Sequence, residues 1–441
     1  MALIVQKYGG TSVADPDRIS AVAENIAFTR RHGNDVVVVV SAMGKATDNL
    51  ITLASQVSTS RARREMDMLL TTGERVTAAL LTMALHDLGV DAVSFTGSQV
   101  GIITDTFHGK AKIVEVRGDR VRDALAAGKV AVVAGFQGVS TAREITTMGR
   151  GASDLTASAL AAALEADACE IYTDVTGVFS ADPRIVPQAR KLAQVSFDEM
   201  LEMAGSGSKV LALRSVEFAR NHGVALHVRS AFTWEPGTWI VPGDEPDDGA
   251  DATAADATAT TVTATTVEEQ AMEDPIISGV VTDMSESKVT VLGVPDQPGI
   301  SAELFESLAD ANVNVDMIVQ NTSTKGITDI SFTMPSADMN VAESIVQRVA
   351  DSIGADGVTH DQDIAKVSLV GAGMKSSPGI AAKMFRTLAD EGINIEMIST
   401  STIRISVVIA TSDLERAARG LHTAFGLDSG INYSAPLPER R

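Results

Sequence analysis

Five consecutive valines at positions 36–40 constrain the fold of this chain more than any other feature. A strand with one wet face alternates apolar and polar residues, so a run without alternation is buried on both faces. That is the condition of a central strand in a parallel sheet covered by helices on each side. Residues 16–31 read as a helix, with Asp15 as N-cap and Pro16 in its first turn. Apolar runs at 92–95, 102–104, 130–136, 169–173 and 225–229 supply further strands, and helical patterns at 61–88 and 155–165 lie between them. The prediction for residues 1–242 is an α/β domain of three αβα layers around a mostly parallel sheet.

Open sheets of this kind bind ligands at the C-terminal ends of their strands, so the loops there carry the chemistry. Lys7-Tyr8-Gly9-Gly10-Thr11-Ser12-Val13 closes the first apolar run. Consecutive glycines let backbone N–H groups approach an anion, and Lys7 adds a mobile point charge. A plain strand-to-helix turn fits the glycines equally well. The valine run delivers a small, hydroxyl-rich loop, Ser41 to Asp48. Glu74, beside Gly73 at a helix start, is placed to favour the helix dipole. Arg150 and Asp154 flank a glycine turn before another helix, where an anion is welcome, although Asp154 alone reads as an N-cap. A polar stretch, 174–184, follows the strand at 169–173, and Ser206-Gly207-Ser208-Lys209-Val210 is read as the opening of a later helix.

Composition removes several function classes. A net charge of -21 argues against nucleic acid or an anionic membrane as partner, because both need a basic surface. Cys169 is the sole cysteine, so an intrachain disulfide and a tetrathiolate metal site are excluded. No stretch approaches the length of apolar sequence that spans a bilayer, and the first residues lack a signal-peptide pattern. The expectation is a soluble cytoplasmic protein with no dedicated metal cage.

Residues 243–274 hold ten acidic residues and no Lys or Arg, a composition that predicts a self-repelling tether. Beyond it the sequence repeats. Lys288-Val289-Thr290-Val291-Leu292-Gly293 returns as Lys366-Val367-Ser368-Leu369-Val370-Gly371, and Val313-Asn314-Val315-Asp316-Met317-Ile318 as Ile393-Asn394-Ile395-Glu396-Met397-Ile398. Each copy reads strand, Pro-Gly turn, helix, strand, giving a small α+β module at 275–354 and another at 355–441, with a C-terminal strand as a candidate to close the first.

The wording of the loops is more specific than their chemistry. Lys7-Tyr8-Gly9-Gly10-Thr11-Ser12-Val13 resembles the signature of the aspartate kinases of the amino acid kinase superfamily, and Thr173-Asp174-Val175-Thr176-Gly177-Val178-Phe179-Ser180-Ala181-Asp182-Pro183-Arg184 resembles their nucleotide segment. The repeat resembles paired ferredoxin-like ACT domains, which bind free amino acids at module interfaces. The resemblance implies the amino acid kinase fold and phosphorylation of L-aspartate by ATP with Mg²⁺. It assigns catalysis to Lys7, Asp154 and Lys209. The nucleotide falls to Lys7, Tyr8, Gly9, Gly10, Ser41, Thr173, Asp174, Phe179, Ser180, Ala181, Asp182, Pro183, Arg184 and Lys209. Aspartate falls to Ser41, Thr47, Glu74, Arg150, Gly151, Ala152, Ser153 and Asp154, with Glu74 on the α-ammonium and Arg150 on the α-carboxylate. For threonine and lysine as effectors it points to Asp296, Asn314, Val315, Asp316, Gln320, Asn394, Ile395, Ser401 and Thr402.

A homo-oligomer, or assembly with a regulatory fragment of the same chain, is implied as well. Two positions depart from the family pattern. Ala152 replaces a glycine, costly only if the backbone there is left-handed. Thr402 replaces an acid, which predicts weakened or altered feedback unless a neighbour such as Glu396 compensates. A different superfamily kinase and a non-catalytic amino-acid sensor are the alternative readings.

Overall fold

The computed structural model describes residues 2–60, 62–243, 277–321, 326–372, 374, 377 and 379–428. Most of the expected tether lies outside them, as do Pro378 and everything past residue 428.

The N-terminal domain begins with β1 (Leu3–Tyr8), α1 (Pro16–Arg31), β2 (Asp35–Val40), α2 (Ala46–Val57), α3 (Arg63–Leu70), α4 (Thr72–Asp87) and β3 (Ala92–Phe95). It continues through α5 (Gly97–Val100), β4 (Ile102–Thr104), β5 (Ile113–Val116), α6 (Asp119–Ala126), β6 (Val130–Ala134), β7 (Gln137–Ser140) and β8 (Ile145–Thr147). It ends with α7 (Ala152–Ala163), β9 (Ala168–Thr173), β10 (Gln194–Ser196), α8 (Phe197–Gly205), α9 (Leu213–Asn221), β11 (Leu226–Ser230) and β12 (Thr238–Val241).

Eight strands form one sheet in the order β10-β12-β11-β9-β1-β2-β6-β3, parallel except between β11 and β12. The valine run is β2, and all five valines are fully buried, at about 1.5–3 kcal/mol of transfer free energy each. Val37 and Val39 face a core shared with α7, α8 and α9, whereas Val36, Val38 and Val40 face α1 and α4. These are the three expected layers. Asp15 caps α1 as expected, its carboxylate accepting from Arg18 N at 2.9 Å. A second sheet, β5-β4-β7-β8, stands beside the first. Its strands run to three or four residues each.

The helical tract at 61–88 resolves into α3 and α4, and the loop after β2 is cut short by α2, so Thr47 sits in that helix's first turn. The stretch Ser206 to Val210 does not open a helix: Ser206 ends α8, and α9 begins only at Leu213.

The repeat folds as two modules. In the first, β14 (Glu286–Pro295), α10 (Ile300–Asp310), β15 (Ile318–Gln320), β16 (Ile327–Pro335), α11 (Met339–Ile353) and β17 (Gly357–Asp361) give the sheet β15-β16-β14-β17. The second uses β18 (Ile364–Gly371), α12 (Ile380–Asp390), β19 (Met397–Thr400), β20 (Arg404–Ala410) and α13 (Leu414–Ala424), with β13 (Ile277–Asp283) completing the sheet β13-β18-β20-β19.

The expected module boundaries need correction here. The outer edge of β14 is taken by β17, beyond the expected division at 354, and the C-terminal strand expected as a candidate to close the module lies outside the described residues. The matching edge of β18 is taken by β13, which precedes the first module in sequence. The second module packs on the N-terminal domain through β13, where Val280 N donates to Ser180 O at 2.7 Å, and through α13, where His422 Nε2 lies 2.9 Å from Ser180 Oγ.

Candidate active site

Strand alternation decides which side chains reach the cleft. On β1, Val5 and Lys7 point toward α7, while Gln6 and Tyr8 point toward α1. Lys7 Nζ lies 2.6 Å from Asp154 Oδ1 in the first turn of α7, both side chains about a tenth exposed, and Asp154 Oδ2 accepts from Ala212 N at 3.4 Å. The carboxylate gains from the helix N-terminus and from Lys7 together. The ammonium keeps donors to spare: a Cβ on Gly9 would stand 3.4 Å from Nζ, so the glycine leaves the lysine head open.

Two loops close over this point. Ser41 N donates to Tyr8 O at 3.1 Å and Gly44 N to Gly10 O at 3.0 Å, and a Cβ on Gly10 would meet Ala42 O at 2.9 Å. Glycine at position 10 is therefore a packing requirement of the loop pair. Glu74, in the first turn of α4, is 3% exposed and accepts from Ala42 N at 3.2 Å through Oε1. Its Oε2 is buried without a partner, and burial pushes the carboxyl up to about 7 against the backbone hydrogen bonds that favour its charge. An orphaned carboxylate oxygen beside a glycine loop suits a cationic ligand.

Arg150 is exposed, stands between two left-handed glycines, Gly149 and Gly151, and has no hydrogen-bond or ion-pair partner among the described residues. A carboxylate could take both its prongs. Ala152 begins α7 with ordinary helical backbone and packs into the core, so the substitution for glycine carries no conformational cost. Ser153 faces Gly135 at the end of β6, where a Cβ would lie 2.9 Å from its Oγ. Next to it Phe136 holds a φ of 69°, a left-handed conformation unusual for a bulky residue, with its N–H donating to Thr156 Oγ1 at 3.2 Å. Nothing in the sequence signalled that strain.

The residues expected around a nucleotide gather at the end of β9. Thr173 Oγ1 donates to Asp174 at 3.1 Å, and Asp182 pairs with Arg184 at 2.6 Å. The Arg184 hydrogen bonds and charge, with Lys209 behind them, hold the Asp182 carboxyl below the usual range. Thus Asp182, Arg184 and the exposed Lys209 share one region, with Pro183 exposed between the first two.

Four of the expected contacts have side chains engaged elsewhere. The Tyr8 ring is fully buried on the α1 side and stacks on Tyr172 at 4.7 Å, in a network where His227, Gln6 and Arg229 outweigh burial and hold Glu170 at about 2. Only its backbone borders the cleft. Ser180 is fully buried against His422, and Ala181 packs into the core of the second module, because this bent segment lies against that module. Phe179 is half-buried and bridges to Lys191. Asp316, expected to take an effector, is bound to Lys366 across the module interface.

The remaining effector candidates scatter over the modules. Gln320 accepts from Ser301 Oγ at 3.0 Å, and Ser401 Oγ donates to Glu202 of α8 at 2.7 Å. Val315 and Ile395 pack against the cores of their modules, and Asp296, Asn314, Asn394 and Thr402 are exposed. Among the described residues no three His, Cys, Asp or Glu side chains converge as a metal cage, and no helix is long and apolar enough to cross a membrane.

Comparison with known proteins agrees with this geometry. The amino acid kinase family matches residues 2–230, and the ACT domain matches 289–349 and 367–425. The aspartokinase of Mycolicibacterium smegmatis is 54% identical over 440 residues, covering 98% of this chain and 99% of its own length; that of Corynebacterium glutamicum is 51% identical over 440 residues with the same coverage. The crystal structure of E. coli aspartokinase III in complex with aspartate and ADP superimposes with a TM-score of 0.78 over 96% of this chain and 99% of that one, at 23% identity, which shows a shared fold. By sequence over nearly its full length, this chain belongs to the aspartokinases of the amino acid kinase family.

Proposed function

We propose that the aspartate kinase reaction of this chain is carried by four charged side chains, Lys7, Glu74, Arg150 and Asp154, disposed around the ends of β1 and β2. The chain transfers the γ-phosphoryl group of ATP to the side-chain carboxylate of L-aspartate, giving 4-phospho-L-aspartate and ADP, the first step toward lysine, threonine and methionine. The observation that carries the residue roles is the unpartnered, buried Oε2 of Glu74. An α-ammonium placed there supplies the missing charge, and Arg150 then takes the α-carboxylate. The side-chain carboxylate is left pointing at Lys7.

A carboxylate oxygen attacks the γ-phosphorus as the bond to the ADP oxygen breaks, and no proton has to move. Catalysis reduces to position and charge. Lys7 neutralises negative charge on the transferring oxygens, and Asp154 fixes the lysine head. Ser41 and Thr47 orient the substrate beside Ser153, while Thr173, Asp174, Phe179, Asp182, Arg184 and Lys209 surround the nucleotide. The donors here, two lysines, an arginine and glycine N–H groups, suit a polyphosphate. Mg²⁺ would arrive with the polyphosphate, where it would supply neutralisation of the phosphate charge. Threonine and lysine are the proposed effectors at the module edges, in a cytoplasmic enzyme that self-associates with a second chain or with a regulatory fragment of its own sequence.

Hydroxamate formation should require aspartate and fail with glutamate. Lys7→Ala and Asp154→Asn should each lower kcat by about 10² or more, the scale of a preorganised electrostatic group. Retention of over roughly a tenth of kcat by both variants would remove them from the mechanism.

A further inference from the structure

Asp67 is a deeply buried carboxylate, 1% exposed, that the mechanism leaves unused. It sits on α3, and its oxygens take three donors from two other segments. Thr147 Oγ1 lies at 2.5 Å from Oδ1, and His108 Nδ1 at 2.7 Å and Gly109 N at 3.2 Å from Oδ2. A carboxylate only accepts, so His108 carries its hydrogen on Nδ1. Thr147 is the last residue of β8, three positions before Arg150.

The same loop is held from its other side. Arg214 of α9 donates to Met148 O at 2.8 Å and Ala111 O at 3.1 Å, and Ala111 N donates to Thr147 O at 3.0 Å. A Cβ on Gly149 would stand 3.5 Å from Gly109 O, so the His108 loop also lies directly against the glycine before Arg150.

This bracing answers a physical need. Arg150 lies between two left-handed glycines, residues with more backbone freedom than any other, and ordering each residue of such a loop costs conformational entropy. If that cost fell at the moment of substrate binding, it would weaken the complex. We propose that Asp67, through His108 and Thr147, is a positioning residue for aspartate: it fixes the loop that presents Arg150 before the substrate arrives. This rests on the reading of Arg150 as the α-carboxylate clamp. Asp67 touches neither substrate nor nucleotide, and its effect falls on one substrate only.

The test is steady-state kinetics on the full chain with Asp67→Asn, His108→Ala, His108→Asn, Arg150→Ala and the double variant Asp67→Asn/Arg150→Ala. Asp67→Asn and His108→Ala should raise KM for aspartate roughly ten- to a hundredfold while KM for ATP and kcat stay within about twofold. His108→Asn, whose amide can donate from the place of Nδ1, should recover most of the loss. The double variant should be no worse than Arg150→Ala alone, since a brace has no effect once the braced group is gone. An unchanged KM for aspartate in Arg150→Ala overturns the clamp reading. A raised KM there, combined with additive losses in the double variant or equal rises for both substrates, overturns the brace while leaving the clamp in place.

Discussion

Glu74 and Lys366 are two charged side chains buried to the same degree, 3% and 1% exposed, and their surroundings are opposite. Lys366, on β18, lies 2.6 Å from Glu286 and in contact with Asp316, both from the first module, so its charge is answered by the protein. Glu74 is met only by backbone amides, and its Oε2 has no partner. A buried charge already paired holds structure, and a buried charge left unpaired is held for a ligand. The contrast separates a buried ammonium met by two acids from a buried carboxylate met by no cation, although Glu286 Oε2 beside Lys366 is also buried without a partner.

The repeat offers an internal control. Lys288 occupies in the first module the place of Lys366 in the second, and Glu396 that of Asp316, so the two modules exchange lysine-to-acid pairs across their interface. The Lys288–Glu396 pair is nearer the surface, with side chains 22% and 24% exposed, and has no second acid among the described residues. Met317 and Met397, also equivalent, meet in one apolar cluster between the pairs. The modules are thus related by an approximate twofold, with the buried charge on one side only.

The largest effect should come from Lys366→Met, which strands two acids at the interface and should cost about 3–5 kcal/mol in chemical denaturation. Lys288→Met, at the equivalent exposed pair, should cost under about 1 kcal/mol. Equal losses would break the comparison. Glu74→Gln should act in the other direction. The folded-state pKa of Glu74 lies above its unfolded value of 4.5, so the stability tied to its proton is full below pH 4.5 and is lost as pH rises through about 7. The neutral isostere should therefore stabilise the ligand-free enzyme by about 1–3 kcal/mol at pH 8 and by almost nothing at pH 4.5. A smaller, regulatory effect is expected at Thr402. Glu396, the acid best placed to compensate for it, is engaged by Lys288, and the neighbouring Ser401 is held by Glu202. Thr402→Glu should tighten inhibition by threonine and lysine roughly tenfold; superimposable inhibition curves would remove Thr402 from effector recognition.

Much of this was legible in the residues. The valine run announced the central strand because burial on both faces leaves no alternation, and the repeat announced two modules because equivalent positions carry the same pattern of exposure at 313–320 and 393–400. What escaped was pairing and facing. α2 buries no residue, so its sequence gave no core stripe to find. That β13 completes the second module while preceding the first follows from non-local sheet pairing, to which a local pattern is blind. Tyr8 stands inside a motif, yet its side chain turns away from the cleft, since one step along a strand reverses the face, while Ser180 and Ala181 are both taken up by the second module, a contact no local pattern shows. The Asp67–His108 contact joins residues 41 positions apart with no motif between them.

The central claim, that the buried carboxylate of Glu74 is completed by the substrate's ammonium, has a direct test in proton linkage. With its pKa near 7 in the free enzyme, Glu74 is about half protonated at neutral pH and must ionise to hold a cation. Calorimetric titration of aspartate into the enzyme with a non-hydrolysable ATP analogue, at pH 7 in buffers of different ionisation enthalpy, should register release of about half a proton per aspartate bound. The release should vanish near pH 9 and be absent in Glu74→Gln. Heats independent of buffer in the wild type, or equal release by wild type and Glu74→Gln, would contradict the account.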